Sequence, residues 1–352
     1  MITGSNAFEA APSRGCARFN VYGYEVEARG SSAPALDGLA ADFAYFRAQR
    51  VVSPVVLELH HEDPPYHSAP SRPATVYTPR NVSLRNGELT FIDYSGQALA
   101  IHDRKTGDFR IYSLQDELLY EAAYLFLLSQ ISEFLDARRM HRIHALAISV
   151  AGRAVLVLLP MGGGKSTLAA ELLKYPEVKL LSDDSPLVDR SGRIHCFPLH
   201  LGLLPGSQGQ IPEHQLRRVS RMEFGPKILV NYEYFASRVC PSADPGVIFL
   251  GRRSLARSCE IVPASLAQAT RAMVTNCVVG LGLFQGMEFV FHRGLVELAG
   301  KAGVAWSRLR NSLRLLRRSS RYHLILGRDL QQNARTLIEF LRKTNASPGA
   351  TT

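Results

Sequence analysis

Three consecutive glycines are followed directly by a lysine and two hydroxyl residues, in the order Gly162, Gly163, Gly164, Lys165, Ser166 and Thr167. Consecutive glycines let a backbone turn tightly and point its amide groups at a bound anion. The lysine could reach the outer phosphates of a nucleotide, and Ser166 or Thr167 could bind the Mg²⁺ that bridges those phosphates. These residue types in this order therefore predict a phosphate-binding loop.

The elements on either side of the glycines are those that such a loop needs. Residues 154–157 are apolar and typical of a buried strand, and residues 168–173 are typical of a helix. The start of a helix adds a partial positive charge where phosphate would bind. The full pattern also asks for a glycine at position 159, where this chain has Leu159. The match is incomplete, but both flanking elements favour nucleotide binding.

Two adjacent carboxylates, Asp183 and Asp184, follow another buried-type strand at residues 178–182. Strand ends and a phosphate loop at one edge of a sheet form a common ligand site. One carboxylate could bind Mg²⁺ while the other accepts a proton from an attacking hydroxyl. The alternative is that Asp184 only caps a turn before Ser185 and Pro186.

The composition is that of an ordinary globular protein, with 352 residues of which 46% are hydrophobic. No apolar run reaches the roughly 18–20 residues of a membrane helix, and the N-terminus has no basic segment followed by an apolar one. We therefore expect a cytoplasmic protein without a membrane partner. Five widely spaced cysteines support neither a disulfide framework nor a zinc site. The net charge of +10 suggests an anionic partner.

The hydrophobic pattern changes along the chain and suggests two folded parts. Alternating apolar residues and the turn-forming pair Asn86 and Gly87 predict strands in the first part, and a helical period begins near Ser113. The predicted division is a disordered N-terminus (1–14), a β-rich module (15–113), an α/β domain (114–345) and a disordered tail (346–352).

Several segments together carry a resemblance to a known family. They are His144-Ala145, the loop at 158–167, the strand and acids at 180–184, Phe197-Pro198, and residues 322–329. In these segments the chain resembles the catalytic domain of the HPr serine kinase and its relatives, over roughly residues 139–343. The resemblance implies an α/β fold with a P-loop kinase domain like that of phosphoenolpyruvate carboxykinases, preceded here by the β-rich (α+β) module.

The resemblance also implies roles for particular residues. His144 would lie near the metal and phosphates, Lys165 and Ser166 would be the lysine and hydroxyl of the loop, and ATP and Mg²⁺ would be bound. Of Asp183 and Asp184, one would be the base and the other a magnesium ligand, without an assignment of which is which. True HPr kinases carry a Glu-x-Arg-Gly-x-Gly signature that residues 197–203 lack, so HPr itself is not the expected acceptor.

Basic residues outside the loop have two interpretations each. Lys227 could neutralise a transferring phosphate, or it could be a solvated surface lysine. A helical-spaced arginine segment could be a solvated face or could dock an acidic peptide. Nucleic acid is not favoured as a partner, because aromatic residues do not interleave with the basic ones. The arginines of that segment are Arg308, Arg310, Arg314, Arg317, Arg318 and Arg321.

The sequence as a whole favours a Mg-ATP-dependent kinase that transfers the γ-phosphoryl group to a hydroxyl. The expected acceptor is a serine or threonine of a peptide or protein, in second place a small molecule. The alternatives are a nucleotide hydrolase or switch, a carboxykinase-like lyase, and a catalytically inert ATP-binding scaffold. A homo-oligomer is also an open expectation, since relatives assemble into rings.

Overall fold

A computed structural model describes residues 15–78, 80–203, 206, 211–220, 227–279 and 295–346, without side chains for 295–301 and 345–346. The disorder predicted for 1–14 and for 347–352 lies outside these residues, as does the charged turn at 221–226. Ala346, where the predicted tail begins, is the last residue of a helix.

The chain divides into two compact units. Of the described residues, the first unit holds 15–129 and Ser220, and the second holds the remainder. The sequence placed its boundary near Ser113, whereas the division by contacts falls after Ser129, inside a long helix. Both units contain sheets and helices, so the fold class is mixed α/β.

The described part of the first unit contains helix α1 (Ala33–Asp42), most of helix α2 (Asp116–Ala137), two short 3₁₀ turns (Ala44–Phe46 and Tyr66–Ser68) and eight strands. The strands are β1 (Gly15–Val21), β2 (Tyr24–Gly30), β3 (Val55–His61), β4 (Val76–Tyr77), β5 (Val82–Asn86), β6 (Leu89–Asp93), β7 (Leu99–Asp103) and β8 (Phe109–Ser113).

These strands form one sheet in the order β1-β2-β3-β8-β7-β6-β5-β4. The hairpin predicted at Asn86 and Gly87 is confirmed, because β5 and β6 pair antiparallel and Gly87 has φ 63°. The start of helix α1 is capped by Ser32, whose side chain accepts a hydrogen bond from the Ala35 amide. The stacked rings of Phe109 and Phe126, 4.0 Å apart, join the sheet to α2.

Helix α2 is the one described helix that is long and apolar enough to cross a membrane by length and composition. Its most apolar window has a mean hydropathy of 1.2, and 67% of that window is buried inside the protein. A core helix passes the same test, so this finding is weak evidence for a membrane span.

The described part of the second unit contains the following helices and strands. The helices are α3 (Lys165–Leu172), α4 (Tyr232–Phe235), α5 (Leu266–Met273), α6 (Leu295–Arg317) and α7 (Leu330–Ala346), with 3₁₀ turns at Glu213–Gln215 and Ala236–Arg238 and a π-helical turn at Val274–Val279. The strands are β9 (His141–Arg142), β10 (Leu146–Val150), β11 (Arg153–Leu158), β12 (Val178–Ser182), β13 (Leu187–Val188), β14 (Ile194–His195), β15 (Leu201–Leu203), β16 (Leu216–Val219), β17 (Lys227–Val230), β18 (Ser242–Arg253), β19 (Glu260–Pro263) and β20 (Ser320–Leu326).

The central part of the second unit is a mixed sheet in which β12, β10, β11, β18 and β20 are neighbours in that order. β11 pairs parallel with β18, and β18 pairs parallel with β20, whereas β10 runs antiparallel to β11 and β12. Strands β10 and β11 are almost wholly buried, and apolar residues from the sheet, α3 and α7 form one core. A smaller sheet, β15-β17-β16, lies in the same unit.

Candidate functional site

One edge of the large sheet collects the residues that the sequence singled out. Because β10 runs antiparallel to both of its neighbours, the ends of β11 and β12 lie at the same edge as the start of β10. The glycine loop follows β11, Asp183 and Asp184 follow β12, and His144 precedes β10. The fold therefore brings these segments together at one place, as the pattern of strands predicted.

Each of the three glycines in the loop is needed for a structural reason of its own. Gly162 and Gly164 have φ angles of 72° and 92°, in the left-handed region that residues with a Cβ rarely adopt. At Gly163 a Cβ would lie 2.9 Å from the Pro160 carbonyl oxygen, which accepts the Gly163 amide at 3.0 Å. Gly164 is also the N-cap of α3 and has no capping side chain, so the amides at this helix start face no side-chain oxygen from the cap.

Leu159 occupies the position where the pattern asks for glycine, and the structure explains why a side chain fits. Leu159 is buried in the core, and its neighbour on β18 is Gly251, where an added Cβ would lie 2.5 Å from Leu159 Cγ. The glycine that leaves room at this position is therefore Gly251 on the adjacent strand, and residue 159 itself can carry a side chain. The loop keeps its turn because Leu159 points into the core and leaves its carbonyl at the site.

Lys165 uses its ammonium group fully within the site. Its Nζ lies 2.8 Å from His144 Nε2, 3.1 Å from the Leu159 carbonyl oxygen and 3.3 Å from Asp184 Oδ1. An ammonium has three N–H donors, so these contacts account for all of them. A phosphate would have to take the place of at least one of these partners.

His144 is buried and shares one ring nitrogen between two neighbours. Its Nε2 lies 2.8 Å from Lys165 Nζ and 3.2 Å from Asp184 Oδ1. The nitrogen accepts from the lysine when it carries no proton, and it donates to the carboxylate when it does. Whether His144 Nε2 carries a proton therefore decides whether it hydrogen-bonds to Lys165 or to Asp184.

The two aspartates are adjacent in sequence but lie in different environments. Asp183 is 8% exposed; burial raises its pKa, and the charge of Asp184 adds to this against the opposing hydrogen bond from Ser166 and the charge of Lys227. The Asp184 side chain is 50% exposed. Packing around Asp184 raises its pKa, but the His144 hydrogen bond and the Lys165 charge outweigh this and hold the pKa below its usual range. Paired acids with pKa values moved in opposite directions are suited to different tasks.

The oxygen atoms around Asp183 fit a bound Mg²⁺. Ser166 Oγ donates to Asp183 Oδ2 at 2.6 Å, while Oδ1 is buried and has no hydrogen-bond partner in the described part of the chain. A buried carboxylate oxygen without a donor is costly unless a cation or water satisfies it. No group of three or more His, Cys, Asp or Glu residues that could hold a metal is found among the described residues. A Mg²⁺ ion held by Asp183 would take water molecules and phosphate oxygens as its further ligands.

The two hydroxyl residues of the loop, Ser166 and Thr167, have different contacts in the structure. Ser166 bonds Asp183, whereas Thr167 lies half-buried in the first turn of α3 and makes no contact with either aspartate that is of hydrogen-bond length. Of the two hydroxyls, Ser166 is therefore the one placed to share a cation with Asp183.

Two residues near the site were missed or left undecided by the sequence. A Cβ on Gly202 would lie 2.0 Å from Lys227 Nζ, so the lysine chain runs directly over this glycine. The Gly202 amide donates to Asp183 Oδ2 at 3.4 Å, which places Lys227 beside the aspartate. Arg253 Nη1 would lie 3.1 Å from a Cβ on Gly164, so it borders the glycine loop. For Arg253, the only indication in the sequence was its place in a pair of arginines that follows an apolar run at the end of β18.

Several arginines of the α6 segment are engaged within the protein rather than merely solvated. Arg308 binds Asp136 at 2.6 Å, Arg314 donates to the Arg190 carbonyl at 2.7 Å, and Arg318 donates to the Ser191 carbonyl at 2.9 Å. Arg321 donates to backbone carbonyls close in sequence. These bonds give the segment a structural task and weaken the expectation that it docks an acidic peptide.

Comparison with known proteins adds no relative to this picture. No model of a known protein family matches the sequence, and no curated protein matches it. The resemblance to HPr kinases therefore depends only on the sequence segments named above.

Proposed function

We propose that this protein is an ATP-dependent phosphotransferase that transfers the γ-phosphoryl group to a hydroxyl, on a P-loop domain like that of HPr kinases and phosphoenolpyruvate carboxykinases. The observation that carries the proposal is the meeting, at one sheet edge, of a glycine loop, its lysine and hydroxyl, and two acids with opposite pKa shifts. Phosphoryl transfer depends mainly on positioning and charge stabilisation, and these are the groups it uses.

Binding of the nucleotide phosphates falls to the loop amides and the start of α3. Lys165 leaves part of its present set of partners and turns toward the outer phosphates, as the charge of ATP competes with Asp184 and His144. Mg²⁺, when bound, neutralises phosphate charge and links the phosphates to the protein. Asp183 and Ser166 would hold it, because they offer the unsatisfied carboxylate oxygen and the hydroxyl. Lys227 adds a second cation beside Asp183.

Asp184 is the residue that would bind the hydroxyl of the acceptor molecule and take up its proton. Its carboxylate is half-exposed and its depressed pKa keeps it ionised, so it can accept a hydrogen bond from an incoming hydroxyl. The acceptor oxygen bonds to the γ-phosphorus as the bond to the β-γ bridging oxygen breaks, ADP departs, and the hydroxyl proton passes to Asp184. His144 holds Asp184 in position. This assigns the metal to Asp183 and the proton to Asp184.

The acceptor class, cellular location and assembly follow from the sequence-based expectations. We propose a serine or threonine of a peptide or protein as acceptor, in a cytoplasmic enzyme that can form homo-oligomers. A nucleotide hydrolase is the second candidate, since a half-exposed Asp184 could orient water instead of a hydroxyl. An inert scaffold is less well supported, because the core accommodates Leu159 without distorting the glycine turn.

The test is transfer of label from γ-³²P-ATP, with Mg²⁺, to fractions of a lysate of the source cells. Lys165→Ala and Asp184→Asn are the test variants, and Lys174→Ala is the matched control, an exposed lysine further along the same segment. We expect a discrete labelled acceptor with the wild type and the control and none with either test variant. Free phosphate without a labelled acceptor would identify a hydrolase. ATP binding without turnover would contradict both the phosphotransferase and the hydrolase.

A further inference from the structure

A cavity of about 730 Å³ opens beside His144 in the second unit. Its walls come from the ends of β11 and β18, from His323 in the middle of β20, from the first half of the glycine loop, and from α5 with the π-helical turn after it. The side chains that matter for its chemistry are His144, Arg252, Gln268, Arg271, Asn276 and His323. Its volume is in the range of sites that bind small molecules or one or two residues of a peptide.

The cavity is cationic and carries no compensating acid. None of the described residues that line it is an aspartate or glutamate. Arg252 and Arg271 are both exposed, and neither has an ion pair or side-chain hydrogen bond within the described chain. Two arginines at one cavity that has no acidic residue in its described wall can bind an anion, and a carboxylate matches their planar donors.

The fold fixes the backbone that carries these cations. Leu158, the last residue of β11, pairs with Leu250, and Arg252 pairs with Ile325, so Arg252 lies two residues beyond the end of β11 and within the pairing of β18 with β20. On α5, Ser265 and Gln268 form a capping box that fixes the helix start. Arg271 lies one turn beyond Gln268 and on the same face of the helix. The contact of 3.2 Å between Gln268 Oε1 and His323 Nε2 ties that face to β20.

The cavity borders the proposed catalytic residues at His144. Its wall includes this histidine, whose Nε2 lies 3.2 Å from Asp184 Oδ1, but includes neither the three glycines nor Lys165 nor Ser166. A molecule in the cavity would thus contact the histidine that holds the proposed proton acceptor, without occupying the groups that bind phosphate. The nucleotide's base and ribose carry no charge and would leave both arginines without a counter-ion.

We propose that this cavity is the acceptor subsite and that Arg252 and Arg271 bind a carboxylate of the molecule that is phosphorylated. The proposal rests on the phosphotransferase function above and deepens it. The acceptor is then a hydroxyl compound that carries a carboxylate near the hydroxyl, either as a free hydroxy acid or as a serine or threonine beside an acidic residue. Gln268 and Asn276 supply further polar groups at the wall.

A binding measurement tests the subsite without requiring transfer. Succinate and its uncharged analogue succinamide are titrated calorimetrically into the full-length protein, with and without saturating Mg²⁺ and the non-hydrolysable analogue AMP-PNP. We expect succinate but not succinamide to bind, in the presence of nucleotide as well. The double variant Arg252→Gln/Arg271→Gln should weaken binding about tenfold or more, since two charge-assisted contacts are lost.

The control removes the same charge from elsewhere in the unit. Arg317 and Arg335 are exposed residues of α6 and α7, and Arg317→Gln/Arg335→Gln should leave succinate binding unchanged. The single variants Arg252→Gln and Arg271→Gln show whether each arginine contributes. Equal binding of succinate and succinamide, unchanged binding in the double variant, or displacement of succinate by AMP-PNP would each overturn the subsite. A protein that fails to transfer phosphate but still binds succinate in this way refutes the proposed function and keeps the anion site.

The source of the carboxylate is decided by a transfer assay with defined acceptors. Serine peptides flanked by aspartate are compared with the same peptides carrying asparagine, and with malate as a free hydroxy acid. Labelling of the aspartate peptide identifies an acidic peptide, and labelling of malate identifies a small molecule. In either case Arg252→Gln/Arg271→Gln should raise the acceptor KM about tenfold and leave the KM for ATP unchanged. A rise in the ATP KM alone would assign the arginines to the nucleotide and overturn the proposal.

Discussion

His141 and His144 lie three positions apart in the chain, and each contacts an aspartate that also binds a cation, but the two clusters are built differently. In the first, which we call the closed cluster, His141 contacts Asp136 at 2.7 Å and Ser307 at 2.8 Å, and Arg308 binds Asp136 at 2.6 Å. His141 is completely buried, and both of its ring nitrogens have partners. Such a cluster has no atom left with which to bind a ligand.

The second, which we call the open cluster, contains His144, Lys165, Ser166, Asp183 and Asp184. Here one oxygen of Asp183 is buried without a partner, and Asp184 is half-exposed. The pKa of Asp136 and that of Asp183 move in opposite directions. Burial raises both, but the bonds from His141 and Arg308 reverse the effect at Asp136, whereas Asp183 keeps a raised pKa. The two clusters contain similar residue types, and they differ in the unpartnered oxygen of Asp183 and in the exposure of Asp184.

The largest effect on stability is expected at the closed cluster. Asp136→Asn leaves the buried Arg308 without its counter-charge, which should lower the free energy of unfolding by about 3–5 kcal/mol. Transfer activity per folded molecule should change little. Urea denaturation measures the first quantity and activity at low temperature the second. Equal loss of activity and stability would mean that the two clusters are not separate.

The pH dependence of stability gives a control on the same variant. The pKa of Asp136 is below that of an unfolded aspartate, which is about 3.9. Its stabilising contribution is therefore present above pH 3.9 or so and is lost as the pH falls through the lower folded value. The difference between wild type and Asp136→Asn should accordingly shrink in acid. A difference that is constant from neutral pH into this acid range would refute the ion-pair account.

Lys165→Ala should cause a large loss of activity. Removing one preorganised cation from a transferring phosphoryl group costs about 10²–10³-fold in rate. The free energy of unfolding should change far less than in Asp136→Asn, because the Asp184 carboxylate left behind is half-exposed and can be hydrated. Initial rates with labelled ATP measure the loss. Activity within a few-fold of wild type would remove Lys165 from the mechanism.

Asp183→Asn should stabilise the ligand-free protein, by about 1 kcal/mol, while it abolishes transfer. The raised pKa means that the ionised carboxyl opposes folding, and this penalty appears as the pH rises from below about 4 through the raised value. The gain should therefore be larger at neutral pH than in acid. Thermal unfolding at two pH values measures it. If Asp183→Asn were less stable than the wild type and fully active, Asp183 would have a structural role like that of Asp136 and no role in transfer.

The smallest effect is expected for Gly202→Ala. The new Cβ would collide with the flexible end of Lys227, which can move away, so stability should fall by less than about 1 kcal/mol. Displacing the ammonium from Asp183 should nevertheless slow transfer about tenfold. Gly303→Ala, at a position where φ is not in the left-handed region and nothing lies within 4 Å, is the control for the added methyl group. Unchanged rates in Gly202→Ala would show that Lys227 is not used.

The parts of the site that lie in one stretch of sequence could be predicted, because local chemistry fixes them. The glycine turn, Lys165 and the acid pair all follow from short motifs at strand ends. The choice of Ser166 over Thr167, and the division of tasks between Asp183 and Asp184, depend on the direction of side chains after a turn, which spacing does not give. Lys227 reaches the site only because β15 and β17 pair across a separate sheet.

Other features depend on partners that are distant in sequence. Leu159 is tolerated because Gly251 lies beside it on β18. The pairing of His141 with Asp136, which separates it from His144, requires the loop after α2 and the side of α6 to meet. The two histidines look alike in the sequence, and only their contacts distinguish them.

The most direct test is a calorimetric titration of the wild type, Asp183→Asn and Asp136→Asn with AMP-PNP, each with and without Mg²⁺. The account predicts that Mg²⁺ tightens nucleotide binding in the wild type and in folded Asp136→Asn, and that Asp183→Asn loses this enhancement. Absence of nucleotide binding in the wild type, or the same Mg²⁺ enhancement in Asp183→Asn, would contradict the claim that the open cluster is a phosphoryl-transfer site.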